Sequence, residues 1–245
     1  MIILASDTSS SSGSVALRRE DGKTLKEELD GTRPHSETLL PAVERILARA
    51  GLTRKDVQAL AVGTGPGAFT GLRVGLATFK AWAAVTGLPL IPVVSMDAVA
   101  LPFLKEGNPV VVLSDARKGE VYAAYYPSLE NGILPHLQGE VILIPHESVP
   151  NWVSSLNDAD ACFAGTGLPL LEAKGLLASP GAVGASGTPD AYWILVIAEA
   201  LLSLDRTVDP SGLVPCYVRP PDAKKPAAGT IVTHLSDDTG DRTNN

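Results

Sequence analysis

A glycine-rich stretch at residues 63–75, which reads GTGPGAFTGLRVG, constrains this chain more than any other feature. It follows an apolar run at residues 57–62 and leads into a helical pattern, so the sequence predicts a strand, a tight turn and a helix. Glycine lets backbone N–H groups approach a ligand closely, and the first turn of a helix offers unpaired donors. The spacing fits neither a P-loop nor the dinucleotide-binding G-x-G-x-x-G pattern. A connection packed tightly on a sheet would need the same glycines, and both interpretations stay open.

The composition predicts a globular protein. Hydrophobic residues make up 45% of the 245 positions, which is ample for a packed core. The longest apolar region, residues 74–104, is interrupted by Lys80 and Asp97, and the N-terminus lacks a signal-peptide pattern. We therefore expect a cytoplasmic protein with no membrane partner. Its net charge of −7 would repel a polyanion, so another chain would have to hold any RNA substrate.

Apolar periodicity and turn residues predict an alternation of strands and helices. The predicted strands are residues 1–7, 13–18, 24–29, 57–62, 88–94, 110–114, 120–126, 138–144 and 159–165. The predicted helices are residues 36–50, 71–85, 95–104, 167–175 and 190–204. Three strands followed by a helix occur in both halves, which fits a duplicated fold, although the sequence shows no repeat residue by residue.

The string Gly-Pro-Gly-x-Phe-Thr-Gly-Leu-Arg-x-Gly at residues 65–75 resembles the signature of the TsaB family. Asp7-Thr8-Ser9 and the segments 33–41, 115–122 and 215–219 agree with that family in order, so the resemblance covers about residues 1–220. It implies an α/β fold of the duplicated actin/hexokinase-like (ASKHA) type, shared with TsaD. Two subdomains, 1–106 and 107–220, would each carry a mixed sheet flanked by helices, and residues 221–245 would form a polar tail.

The resemblance also implies a phosphate site at the first hairpin. In actin/hexokinase-like folds an acidic residue and small hydroxyl residues at this place face the nucleotide phosphates. The candidate phosphate-binding residues are Asp7, Thr8, Ser9, Gly65 and Gly67. The alternative is that serine and aspartate simply suit a turn.

The start of the helix predicted at residues 95–104 lacks a pair of metal-binding histidines. In TsaD a His-x-x-x-His pair, one strand beyond the glycine-rich turn, holds a metal ion on one helix face. The corresponding residues here are Ser95 and Val99, neither of which can replace an imidazole ligand. We therefore expect no metal, no catalytic residue and no resident cofactor, with a nucleotide conceivable only at the interface of a complex.

The helix predicted at residues 71–85 has two apolar faces. The bulky face, with Leu72, Leu76 and Phe79, has the volume to fill the space above a sheet, whereas the opposite face is small and would let another helix approach. TsaB and TsaD proteins are understood to pair through their first two helices. The predicted partner-interface residues are Leu39, Val43, Val74, Ala77, Thr78, Ala81 and Val85.

A charged cluster formed by Asp115, Arg117, Lys118 and Glu120 lies at a predicted hairpin tip, where it could hold a partner or an anion or simply be solvated. The resemblance implies a non-catalytic subunit that forms a heterodimer with a TsaD-like paralogue and supports threonylcarbamoyl transfer to adenosine-37 of tRNA. It further implies a TsaE-like ATPase in a larger complex, a homodimer without the partner, and only indirect contact with tRNA. The alternative is an ATP-dependent phosphotransferase or a metallopeptidase-like hydrolase of the same superfamily that uses Asp7.

Overall fold

The first of two central sheets is built almost entirely from the first 93 residues. In a computed structural model that describes residues 1–177 and 187–219, this sheet has five strands in the order β3-β2-β1-β4-β5. The strands are β1 (Ile3–Asp7), β2 (Ser14–Arg18), β3 (Thr24–Glu28), β4 (Ala59–Gly63) and β5 (Leu90–Val93). The first three strands form an antiparallel meander, while β4 lies parallel to β1 and β5 parallel to β4.

The second sheet repeats this arrangement. Its strands β6 (Val110–Asp115), β7 (Glu120–Tyr126), β10 (Ile142–Pro145) and β11 (Cys162–Ala164) lie in the order β10-β7-β6-β11. A small separate hairpin, β8 (Ser128–Glu130) and β9 (Leu134–His136), is inserted between β7 and β10. Again three strands form an antiparallel meander and the fourth lies parallel to the first. The shared topology confirms the predicted duplicated actin/hexokinase-like fold.

Six α-helices among the described residues complete five layers. They are α1 (His35–Ala50), α2 (Phe69–Thr86), α3 (Ser95–Lys105), α4 (Val149–Ser155), α5 (Leu168–Ala173) and α6 (Ala191–Ser203). Helices α1 and α2 cover one face of the first sheet, where Leu4 and Val62 point, and α6 covers the other face, where Ile3 and Ala61 point. Helix α3 packs on both α6 and the second sheet, whose outer face is covered by α4 and α5.

The last helix does not follow the predicted subdomain boundary at residues 106 and 107. Helix α6 lies in the second half of the sequence, yet it packs across β1, β2, β4 and β5 of the first sheet. Ile194, Leu195 and Ala198 are fully buried there, and Arg18 on β2 forms a two-pronged ion pair with Glu199, with both N–O distances 2.7 Å. The second half of the chain therefore completes the core of the first.

Two elements lie where no helix or strand was predicted. The β8–β9 hairpin turns at Asn131 and Gly132, which both have left-handed backbone (φ 51° and 71°), and helix α4 follows a 3-10 turn at His146–Ser148. The strand predicted at residues 138–144 begins only at Ile142, since Gly139 also takes a positive φ. The predicted tail at 221–245 lies outside the described residues. Among the described helices, none combines the length and apolarity needed to span a bilayer.

Candidate functional site

The glycine-rich turn packs against the turn that joins β1 and β2. A Cβ atom at Gly67 would lie 2.1 Å from the backbone oxygen of Ser9, and one at Gly71 would lie 2.2 Å from that of Thr8. The hydroxyl of Thr8 donates a hydrogen bond to the oxygen of Gly71 (2.8 Å), and the N–H of Ala68 donates to the oxygen of Ser9 (2.7 Å). Close packing of two backbone segments therefore requires these glycines, as the second interpretation of the stretch proposed.

Asp7 ends β1 and is fully buried. Its Oδ1 accepts hydrogen bonds from the N–H (2.8 Å) and the hydroxyl (2.6 Å) of Ser9, and its Oδ2 accepts one from Ser95 (2.6 Å). Burial raises the pKa of Asp7, and the hydrogen bonds from Ser9 and Ser95 oppose that rise. A Cβ atom at Gly63 would lie 1.9 Å from Oδ2, so both carboxylate oxygens are enclosed by protein.

Ser95 links this carboxylate to the glycine-rich turn. Its hydroxyl accepts a hydrogen bond from the N–H of Gly65 (3.0 Å) while donating to Asp7. Val99, one turn further along α3, is 4% exposed in the core between α3 and the second sheet. The two residues thus have packing and hydrogen-bonding roles. Within residues 1–177 and 187–219, no three His, Cys, Asp or Glu side chains come together as metal ligands would.

A cleft of about 840 Å³ is lined by residues at the hairpin ends of both sheets. The tips of the two equivalent hairpins, β1–β2 and β6–β7, face it, and so does the N-terminal end of α2. The residues that line it from these tips are Ser9, Ser10, Ser11, Ser114, Asp115, Ala116, Arg117 and Lys118. The other lining residues are Pro66, Gly67, Ala68, Phe69, Leu72, Tyr122, Thr166, Pro169, Leu170, Pro189, Cys216, Tyr217 and Arg219.

The structure separates the predicted phosphate-binding residues into those that line the cleft and those that do not. Of the five candidates, Ser9 and Gly67 line the cleft. Asp7, Thr8 and Gly65 do not, because they are buried beneath the hairpin and the turn, where their polar atoms bond to protein. Sequence reasoning missed Ser10, Ser11 and Thr166, which do reach the cleft.

A residue-level repeat, not seen in the sequence, becomes visible on the two sheets. Ser6-Asp7 ends β1 and Ser114-Asp115 ends β6, while Gly-Thr-Gly begins at the last residue of β4 (residues 63–65) and directly after β11 (residues 165–167). In the second copy the hydroxyl of Thr166 accepts a hydrogen bond from the N–H of Asp115 (2.9 Å). The two short motifs mark equivalent ends of equivalent strands, although Thr166 lines the cleft and its counterpart Thr64 is buried.

The charged cluster lies at the β6–β7 tip. Asp115 accepts a hydrogen bond from the N–H of Arg117 (2.8 Å), and its carboxylate lies 3.3 Å from the Arg117 guanidinium. Arg117 and Lys118 both have left-handed backbone, with φ of 63° and 58°. Their side chains are exposed at the cleft, while Glu120 forms an ion pair with Arg219.

Residues 213–219, which we call the strap, close one side of the cleft. The strap bonds to α2 through the oxygen of Leu213, which accepts from Lys80 (2.5 Å), and through the Tyr217 hydroxyl, which accepts from Arg73 (3.2 Å). The Tyr217 ring lies 5.7 Å from that of Phe69. At its end, Arg219 reaches Glu120 of the second sheet. The strap therefore joins α2 to the β6–β7 hairpin.

Helices α1 and α2 present a surface that partly differs from the predicted one. Leu39 and Val43 are 1% and 0% exposed in the chain's own core, so they are not available to a partner, whereas the large apolar residue that α1 exposes is Leu40 at 45%. On α2, Ala77, Ala81 and Val85 are exposed, and Val74 and Thr78 are half-buried. We call the exposed side chains Leu40, Ala77, Ala81 and Val85 the outer face.

These features define a class of protein. It has an actin/hexokinase-like fold in which the carboxylate of Asp7, at the end of β1, points into the core and not into the cleft. The family model described as TsaD, tRNA N6-adenosine threonylcarbamoyltransferase, matches residues 29–142. The chain is 34% identical to the Escherichia coli tRNA threonylcarbamoyladenosine biosynthesis protein TsaB over 225 residues, 89% of this chain and 95% of that protein. It belongs to the TsaB family.

Other relatives agree with this assignment. The Haemophilus influenzae TsaB is 32% identical over 227 residues, covering 89% of this chain and 94% of the relative. A solved structure of YeaZ from Pseudomonas aeruginosa superposes with a TM-score of 0.74 at 31% identity, covering 88% of this chain and 100% of the other. The likeness therefore extends over both sheets.

Proposed function

We propose that this chain acts in the biosynthesis of threonylcarbamoyladenosine in tRNA, the pathway named for its TsaB relatives. In this proposal it is a non-catalytic subunit. It pairs with a TsaD-type transferase, and the pair supports transfer of the threonylcarbamoyl group to adenosine-37. The transferase, not this chain, holds the tRNA, since a net charge of −7 disfavours a polyanion.

The environment of Asp7 supports a non-catalytic role. A carboxylate that acts on a phosphate or a metal must reach it, yet both oxygens of Asp7 are occupied by Ser9 and Ser95 inside the core. Freeing the carboxylate would leave buried donors without a partner, which costs about 1–3 kcal/mol each. The alternative of a phosphotransferase or hydrolase that uses Asp7 is therefore disfavoured.

The outer face of α2 is the observation that carries the partner role. Ala77 and Ala81 are exposed one helical turn apart, and Val85, one turn further, is 87% exposed. Small side chains let a second helix approach closely, and an exposed row of apolar residues gains free energy when a partner covers it. Leu40 on α1 extends the apolar surface of this helix pair.

Further parts of the proposal rest on the family resemblance. A homodimer without the transferase would use the same outer face, and a TsaE-like ATPase would join the larger complex. A nucleotide would bind where the subunits meet. All of these steps would take place in the cytoplasm.

The test is a charge placed on the outer face. Ala81→Glu would bury a carboxylate in the interface, and we expect it to weaken binding to the TsaD-type transferase of the same organism by about 100-fold or more. Because Ala81 is exposed in the single chain, the melting temperature of the variant alone should stay within about 2 °C. Co-elution and calorimetric titration measure the first effect, and thermal melting measures the second.

Ser154→Glu is the matched control, because it adds the same charge at an exposed position of α4 on the opposite outer layer. It should leave binding unchanged. Equal binding by Ala81→Glu and the original chain would place the interface elsewhere. ATP turnover by the chain alone at about 1 s⁻¹ or faster, as kinases achieve, would favour the enzymatic alternative.

A further inference from the structure

The strap is anchored firmly at its first residue. Leu213 is 9% exposed and packs in the core beneath α1 and α2, and its backbone oxygen accepts a hydrogen bond from Lys80 (2.5 Å). Earlier in the chain, the N–H of Val208 donates to the oxygen of Leu90 at the edge of the first sheet (3.0 Å). Moving Leu213 would expose apolar surface and disturb the first core, so this end stays in place.

Tyr217 attaches the strap to α2 by contacts at the surface. Its hydroxyl accepts a hydrogen bond from Arg73 (3.2 Å), and its ring lies beside that of Phe69. Tyr217 and Phe69 are 43% and 45% exposed, so water already reaches much of both rings. A contact that is open to water loses little free energy when it breaks, since solvent replaces the partner.

The end of the strap touches the second sheet. Val218 is half-buried against the core between α3 and that sheet, and Arg219 forms an ion pair with Glu120 of the β6–β7 hairpin. Both side chains of this pair are partly exposed, and ion pairs of that kind are weakened by water and salt. The contacts at this end are therefore weaker than the burial of Leu213 at the other.

Cys216 lies between the two ends, where the strap crosses the glycine-rich turn. Its N–H donates a hydrogen bond to the oxygen of Thr64 (2.8 Å), and its side chain lies half-buried on the lining of the cleft. Burial raises the pKa of its thiol, and the nearby carboxylate of Asp97 adds to that rise. Because the thiolate is the reactive form, the thiol should react slowly while the strap is in place.

We propose that residues 216–219 form a latch that opens and closes while the cores of both sheets stay folded. Leu213 remains in its core, and the exposed Val214 is the pivot. Opening breaks the contacts of Tyr217 and Arg219, so it releases the link between α2 and the β6–β7 hairpin and uncovers one side of the cleft. Local openings of this kind occur where few apolar side chains are buried. The latch lies within one chain and does not depend on the transferase or on the outer face of α2.

The two cysteines of the chain allow this opening to be measured. Cys162 is 3% exposed in the core of the second sheet, so a thiol reagent reaches it when that core unfolds, whereas Cys216 becomes accessible whenever the latch opens. With excess N-ethylmaleimide, and with the modified peptides followed by mass spectrometry, Cys216 should react at least about tenfold faster than Cys162. Urea below the unfolding midpoint should hardly change the rate at Cys216, since opening of the latch exposes little new surface.

Two variants loosen the latch without altering the strap itself. Arg73→Gln removes the guanidinium that donates to the start of the latch, and Glu120→Gln removes the ion pair at its end. Each should raise the reaction rate at Cys216 by about threefold or more, because the open state becomes more populated. The rate at Cys162 should change by less than about twofold, since the core around it is untouched.

Arg54→Gln and Glu44→Gln are the matched controls, because these two residues form an exposed ion pair elsewhere on the surface. Each removes the same charge as its counterpart and should change neither rate by more than about twofold. Equal rates at the two cysteines, or equal dependence on urea, would overturn the proposal, since only global unfolding would then expose Cys216. An unchanged rate at Cys216 in either latch variant would also overturn it, because the thiol would then be reached with the strap in place, and so would equal acceleration by the controls.

Discussion

At the scale of single residues, Gly71 shows how backbone contact overrides helix propensity. Alanine in place of glycine inside a helix normally stabilises it by about 0.5–1 kcal/mol. At Gly71 the new Cβ atom would lie 2.2 Å from the backbone oxygen of Thr8, which cannot move without disturbing β1. We therefore expect Gly71→Ala to destabilise the protein by about 2 kcal/mol or more, measured by chemical denaturation.

The control for this prediction is Gly31→Ala. Its Cβ atom would meet its nearest neighbour at an ordinary 3.5 Å, so the free energy of unfolding should change by less than about 0.5 kcal/mol. A Gly71→Ala protein more stable than the original would mean that the two turns do not touch as described.

Asp97 makes stability depend on pH. It lies in the first turn of α3, where the Tyr126 hydroxyl donates to its Oδ1 (2.8 Å), and burial raises its pKa from 3.8 to about 7. Between these values the folded protein binds more protons than the unfolded chain, so stability falls as pH rises from about 4 to 7. Asp97→Asn removes the charge and should abolish this fall, which amounts to up to about 4 kcal/mol.

Denaturation curves at pH 4.5, 6 and 7.5 measure the effect, because the free energy of unfolding should fall by about 1.4 kcal/mol for each pH unit between the two pKa values. Tyr126→Phe serves as the comparison. The hydrogen bond from Tyr126 favours the charged carboxylate, so its removal should raise the pKa of Asp97 further and extend the fall to higher pH. A pH profile that is the same for the original protein and Asp97→Asn would contradict this account.

At the scale of elements, helix α6 covers the face of the first sheet that α1 and α2 leave open. Leu195 is fully buried against the sheet, whereas Leu204, just beyond the helix, is 55% exposed. Leu195→Ala should cost about 2–5 kcal/mol, and Leu204→Ala less than about 0.5 kcal/mol. Hydrogen exchange in β1 and β2 should accelerate in Leu195→Ala, because their cover is lost. If the amides of β1 exchanged no faster in Leu195→Ala, α6 would not be stabilising that part of the core.

Much of the element pattern could be predicted from local sequence. Apolar alternation and helical spacing predicted the nine strands of the two main sheets and five of the helices, α2 and α6 among them, to within a few residues. The β8–β9 hairpin was missed although Asn131-Gly132 is a strong hairpin signal. Its strands have only three residues each, too few for alternation to stand out.

The site was harder to predict because its contacts join distant parts of the chain. The inward orientation of Asp7 depends on Ser95, which lies 88 positions further along the sequence. The spacing of apolar residues on α1 could not distinguish Leu39, which packs in the core, from its exposed neighbour Leu40. Helix periodicity gives the direction in which a side chain points from the helix axis, but it does not show whether the chain's own core or solvent lies on that side.

At the scale of the whole molecule, the five layers make the two halves depend on each other. The first sheet exposes one apolar face until α6, from the second half, packs on it, and the strap adds bonds from Leu213 and Tyr217 to α2. A sheet with one apolar face uncovered cannot bury enough surface to offset the conformational entropy of folding. We therefore expect the two halves to fold as one cooperative unit in spite of their separate sheets.

The fragment 1–106 should accordingly fail to fold alone, although it contains every strand of the first sheet. We expect it to show no cooperative thermal transition in circular dichroism and to bind hydrophobic dyes. Adding the fragment 107–245 supplies α6 and the strap, and the mixture should regain a cooperative transition. The fragment 107–245 carrying Leu195→Ala should restore it less well, because the same contact is weakened. A fragment 1–106 that melts cooperatively by itself would show that the α6 layer is dispensable and that the boundary at residue 106 separates independent domains.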